Sequence, residues 1–162
     1  MMKRRTNVLR VVAVAFLGLC GFSVWFTFRE THGVGVNSLW WLPPEAHNIT
    51  YIRNELNALA EFDIDREALE KWCASRKMPL RKLGGGEHPM VSRSLWMLEK
   101  RGILPPTAEP NKVEEALSGM DRFNKSFGEG DLFYEDRWPN GGGYSIGYDV
   151  DAKRGYYKYS HH

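Results

Sequence analysis

The hydrophobic pattern changes character twice along the chain. From Val11 to Phe28 it reads VVAVAFLGLCGFSVWFTF, an unbroken apolar run without a charge. As a helix such a run rises about 27 Å, close to the ~30 Å hydrocarbon core of a bilayer. A helix satisfies its own backbone groups, so this run predicts a transmembrane anchor, with the lipid bilayer as its partner through residues 11–28. Lys3, Arg4, Arg5 and Arg10 precede it. Basic flanks stay inside, which predicts a single-pass protein of the cytoplasmic membrane, N-terminus inside and C-terminal domain outside. Trp25, Trp40 and Trp41 suit the outer interface. A cleaved signal peptide, a lipoprotein signal at Cys20 and a buried helix of a soluble protein compete with the anchor.

After Arg29 the pattern shortens. Thr31 to Leu42 contains glycines and reads as an irregular linker, closed by Pro43-Pro44. In AHNITYIRNELNALAEFDI, the positions Ile49, Ile52, Leu56 and Leu59 fit a helix. Alternatively, 48–53 and 58–64 are two strands joined at NELN, whose asparagines suit a turn; the hairpin is preferred. Asp65 to Arg76 predicts a helix capped by Asp65, with Ala68, Leu69, Trp72 and Cys73 as its apolar stripe. Arg76 to His88 reads as a basic, flexible loop. Pro89 to Arg101 predicts a second helix, with Pro89 at its first position and Val91, Leu95 and Leu98 facing inward. Asn111 opens a third, with Glu114 as a capping partner.

The final segment alternates most clearly. Residues 132–138, 144–150 and 156–160 predict three strands separated by PNGGG and DAKRG. Tyr144, Ile146, Tyr148 and Val150 share one face; Ser145, Gly147 and Asp149 take the other. Such a meander needs a helix packed on it, and 65–76 is the natural partner.

These elements compose an α+β domain: a single N-terminal transmembrane helix, then an antiparallel sheet of about five strands with one packed helix and two inserted helices. The implied organisation is a cytoplasmic basic tail (1–10), the anchor (11–28), a juxtamembrane linker (29–44) and an extracytoplasmic domain (45–162).

Charge adds a restriction. The chain has 22 basic and 20 acidic residues, and four of the basic ones precede the apolar run. The remainder carries 18 basic against 20 acidic groups. A net charge of −2 removes the simple argument for nucleic-acid binding. Basic residues still concentrate between Lys71 and Arg101. Within that stretch Arg76, Lys77, Arg81 and Lys82 are candidates for anionic lipid head groups.

Catalytic signatures are sparse. The runs Gly84-Gly85-Gly86 and Gly141-Gly142-Gly143 lack phosphate-loop spacing and read as turns, so no cofactor is predicted. Glu129, Asp131, Glu135 and Asp136 offer hard oxygen ligands without the spacing of a calcium loop, and no metal site is predicted. An envelope hydrolase or metal-dependent enzyme would use those acids with His88. Cys73 falls on an apolar face, where burial makes a thiol inert. The strongest candidate is the aromatic density of the last thirty residues. Period two puts Tyr156 and Tyr157 on opposite faces, so one is exposed unless something covers it. Trp138, Tyr156 and Tyr157, beside Arg154 and Lys158, are the predicted binding residues for a protein or glycan partner. The alternative is cross-strand aromatic pairing.

The segments LPPEAHNITY, AEFDIDREALEKW and GYDVDAKRGYYKYS resemble small membrane-anchored bacterial proteins without an assigned activity. The resemblance implies an anchor leading into strands, a helix and a terminal hairpin, and supplies no activity. The leading expectation is a membrane-anchored extracytoplasmic binding or assembly module; the alternatives are the hydrolase or metal enzyme and a sensor of anionic lipid surfaces.

Overall fold

The computed structural model describes residues 30–93, Met97 and 124–161. Thr31–His162 forms one compact unit. Its frame is a seven-stranded, wholly antiparallel sheet: β1 (Thr31–Val36), β2 (His47–Arg53), β3 (Asn57–Asp63), β4 (Arg81–Lys82), β7 (Leu132–Arg137), β8 (Gly143–Asp149) and β9 (Arg154–Ser160). The spatial order is β1-β2-β3-β9-β8-β7-β4. A separate ribbon pairs β5 (Met90–Ser92) with β6 (Asn124–Ser126). One helix lies among the described elements, α1 (Arg66–Ser75).

Local chemistry sets the turns. Between β2 and β3 the Asn54 side-chain oxygen accepts from the N–H groups of Leu56 at 2.9 Å and Asn57 at 2.7 Å. A side chain that mimics a backbone turn in this way fixes the hairpin register. Asp149 Oδ1 does the same after β8, accepting from Ala152 N–H at 2.8 Å. The helix ends where Lys77 takes φ 59°. There Lys77 N–H bonds Ala74 O at 3.1 Å and Met78 N–H bonds Cys73 O at 2.9 Å. That pair of bonds satisfies two terminal carbonyls and turns the chain sharply.

Pairing of β3 with β9 joins the first hairpin to the last one, from Asn57↔Ser160 to Asp63↔Arg154. Period two then sorts the sheet into two faces. One carries Ala60, Phe62, Leu132, Ile146, Tyr148 and Tyr157, which pack with Leu69, Trp72 and Cys73 of α1 and with Leu42 and Ala46 of the β1–β2 connection. The other carries Phe133 and Tyr156, which pack with Leu83, Val91 and Phe127. Tyr156 and Tyr157 do occupy opposite faces, and both are covered.

The structure corrects the α+β expectation. Seven strands, not five, make the sheet, and α1 is the helix set beside it among the described residues. Thr31–Val36 is an edge strand rather than irregular chain. The basic stretch after α1 contributes β4. The helix expected from Pro89 is a strand at Met90–Ser92, because Val91 is buried beneath the sheet while Met90 is exposed and Ser92 half-buried, an alternation of two rather than 3.6. The rest of that expected helix, apart from Met97, and the one expected from Asn111 to Phe123 lie outside the described residues.

The membrane expectation is corrected as well. Among the described residues no helix is long and apolar enough to cross a membrane, and α1 has 10 residues. The run 11–28, on which the anchor, the orientation and the cytoplasmic-membrane location rested, lies outside the described residues. The single-pass placement is therefore not supported.

Candidate functional site

Three parts of the chain converge on the helix-bearing face of the sheet. Strand β9 presents Tyr157 and Tyr159, and β8 presents Tyr144. Helix α1 brings Trp72 on its inner side and Arg76 at its end. The connection before β2 supplies Trp40 and Trp41. Between them is an open cleft of about 550 Å³, also lined by Arg53, Lys77, Tyr134 and Asp136.

Tyr157 is the hub. Its ring lies 5.4 Å from that of Trp41, 6.4 Å from Trp72 and 6.3 Å from Tyr144. Trp72 meets it at 71° and Tyr144 at 63°. Aromatic pairs at such angles and spacings add about 0.5–1.5 kcal/mol each beyond their burial. Beyond Tyr144 the row continues to Tyr159 at 5.0 Å, and Trp138 caps both at 5.6 and 6.0 Å. Burial pushes the Tyr157 hydroxyl above its ordinary pKa of 10.0, with Tyr144 adding to the rise and Arg76 and Arg53 opposing it. Tyr144 is raised for the same first reason, burial.

Cations frame the aromatic row. The Arg53 guanidinium lies 4.7 Å from the centre of the Trp40 ring and 5.4 Å from Trp41. That of Arg76 lies 4.6 Å from the centre of Trp72. Trp40 remains 81% exposed at the rim.

The predicted binding residues are divided by the sheet. Tyr157 is in the cleft and Trp138 flanks it. Tyr156 lies on the opposite face, covered by Phe127 at 5.4 Å, with Arg93 5.4 Å from its ring centre. There Arg93 Nε sits 3.0 Å from Glu61 Oε1 in an ion pair between largely buried side chains. Arg154 donates to Asp63 Oδ1 at 2.7 and 3.0 Å, and Lys158 reaches Ser92 Oγ at 3.3 Å. The four lipid candidates divide too. Arg76 and Lys77 line the cleft, while Arg81 and Lys82 belong to β4, where Arg81 holds Glu87 Oε2 at 2.6 Å.

Three of the acids proposed for catalysis, Asp131, Glu135 and Asp136, hold the backbone or neighbouring side chains. Asp131 accepts from Gly128 N–H and Val150 N–H, each at 3.0 Å. Glu135 pairs with Arg137 at 2.8 Å, and Asp136 accepts from Trp138 Nε1 at 3.4 Å. His88 is exposed. Among the described residues no three His, Cys, Asp or Glu side chains gather to hold a metal ion. Cys73 is buried, and burial pushes its thiol up to about 12.

Sequence reasoning missed Arg53, Trp41 and Trp72 as site residues. Trp41 read as an interfacial residue and Trp72 as core. The usable signal was an arginine at a strand end whose alternation places it on the aromatic face. No family model matches the chain, and no curated protein or solved structure is found to match it.

Proposed function

We propose that the unit is a non-enzymatic binding module whose aromatic cleft holds a ring-bearing ligand. The observation that carries this reading is the row Trp41–Tyr157–Trp72, with Tyr144 and Tyr159 continuing it, along the wall of an open cleft. Sites for small ligands are concave, largely aromatic and ~300–1,000 Å³, with a few polar groups for orientation. This cleft has that size and that lining. Tyrosine and tryptophan faces take the C–H face of a sugar or a flat ring at small entropic cost, and their polar tips supply hydrogen bonds. A thiol held protonated by burial does not act as a nucleophile, which favours binding over chemistry at Cys73.

Isothermal titration of the full chain with cellotriose, trigalacturonate, adenosine and adenosine monophosphate tests the reading. Saturable binding of at least one probe is expected. Trp40→Ala and Tyr159→Ala should each weaken it at least threefold while the circular dichroism spectrum is unchanged. No saturable binding of any probe, or binding indifferent to both substitutions, would overturn it.

A further inference from the structure

The chemistry of the ligand can be narrowed, on the assumption that the cleft is the binding site. Arg53, the last residue of β2, and Arg76, at the carboxyl end of α1, are linked to Tyr157 through Trp41 and Trp72 respectively. The contacts therefore run cation, ring, ring, ring, cation, with Tyr157 as the ring shared by both tryptophans. Both guanidiniums act on the Tyr157 hydroxyl electrostatically, against the larger effect of burial.

The arginines elsewhere supply the contrast. Arg66 holds Glu70, Arg81 holds Glu87, Arg93 holds Glu61, Arg137 holds Glu135 and Arg154 holds Asp63. Among the described residues Arg53 and Arg76 are the two arginines in no such pair, and both line the one cleft. A guanidinium lying over a ring uses its face there and keeps its in-plane N–H donors for an anion. Lys77, held at the cleft mouth by the helix-ending turn, adds a third cation. Two carboxylates also line the space, Glu55 and Asp136. Glu55 is exposed in the β2–β3 turn, and Asp136 accepts the indole N–H of Trp138.

We propose that the cleft selects a ring compound bearing an oxyanion, carboxylate or phosphate, which lies between Arg53 and Arg76 and accepts a hydrogen bond from the Tyr157 hydroxyl. The rings hold the uncharged body of the ligand, and the two arginines recognise its acid group.

The test compares charged and uncharged partners on the full chain: trigalacturonate with cellotriose for carboxylate, and adenosine monophosphate with adenosine for phosphate. At least one charged probe should bind tenfold or more tighter than its uncharged partner, and the arm that shows the preference identifies the acid group. Arg53→Gln and Arg76→Gln should each remove most of that preference, weakening the charged probe far more than its uncharged partner. Arg81→Gln, whose side chain is engaged with Glu87, should leave the preference intact. Equal affinity for charged and uncharged probes overturns the selectivity while the binding reading stands. A preference that persists in both cleft variants overturns it too, since the anion then sits elsewhere. No binding of any probe overturns both.

Discussion

The ring of Trp41 rests 5.4 Å from that of Tyr157, tilted by 53°. This contact ties the connection that enters the first hairpin to β9, the central strand of the sheet. It covers a tyrosine that period two would otherwise leave open, and it forms one wall of the cleft. Trp41→Ala should lower stability by about 2 kcal/mol, less than the ~3–5 kcal/mol of a fully buried tryptophan, because its ring is only partly buried. A urea unfolding series gives the value. A change below experimental error would mean that the tryptophan does not pack on Tyr157.

Gly147 stands opposite Phe127 on the other face, and a Cβ there would collide with the ring. Gly147→Ala should therefore cost about 2 kcal/mol by overpacking. Combining it with Phe127→Leu should recover part of that loss, since the two positions share one space. Strictly additive losses would contradict the contact.

Lys77 carries φ 59° at the end of α1. A residue with a side chain pays ~1 kcal/mol for that conformation, and glycine does not. Lys77→Gly should raise stability by about that amount and lower affinity for the anionic probes. A destabilised variant would show that the lysine side chain itself holds the helix end.

Burial raises the hydroxyls of Tyr144, Tyr148, Tyr156 and Tyr157 above their ordinary 10.0. A group whose folded pKa exceeds its unfolded one adds stability that is whole below the unfolded value and is lost as pH rises through the folded value. Urea midpoints should hold level up to about pH 8, fall first as the unfolded Cys73 thiol titrates, and fall further as pH climbs past the tyrosine reference. Phenolate absorbance should appear together with unfolding. Full tyrosine ionisation with the circular dichroism spectrum unchanged would contradict this.

The sequence made some of this architecture readable and hid the rest for physical reasons. Alternation at Tyr144, Ile146 and Tyr148 marked β8, and the asparagines of NELN marked the first hairpin, because each signal is local. Asp65 and the stripe Leu69, Trp72 and Cys73 marked α1 within a residue at each end. Strand β1 was missed because THGVGV offers little side-chain bulk; it is held by its ladder to β2. Strand β5 was missed because Pro89 followed by Val91 and Leu95 imitates a helix start. The run 11–28 carries a strong apolar signal, yet nothing among the described residues supports a membrane crossing. As for the cleft, Tyr157 could be named from its strand. The partners of Tyr157 could not, because Trp41, Arg53, Trp72 and Arg76 meet only once the sheet and α1 are assembled.

Oxidative footprinting of the full chain, with and without a saturating probe, examines the cleft most directly. Trp40, exposed at its rim, and Tyr159, on its wall, should be protected by the bound probe. Met90, 46% exposed and outside the cleft, should oxidise at the same rate in both samples. Protection of Met90 with Trp40 and Tyr159 unchanged would place the ligand elsewhere and contradict the account.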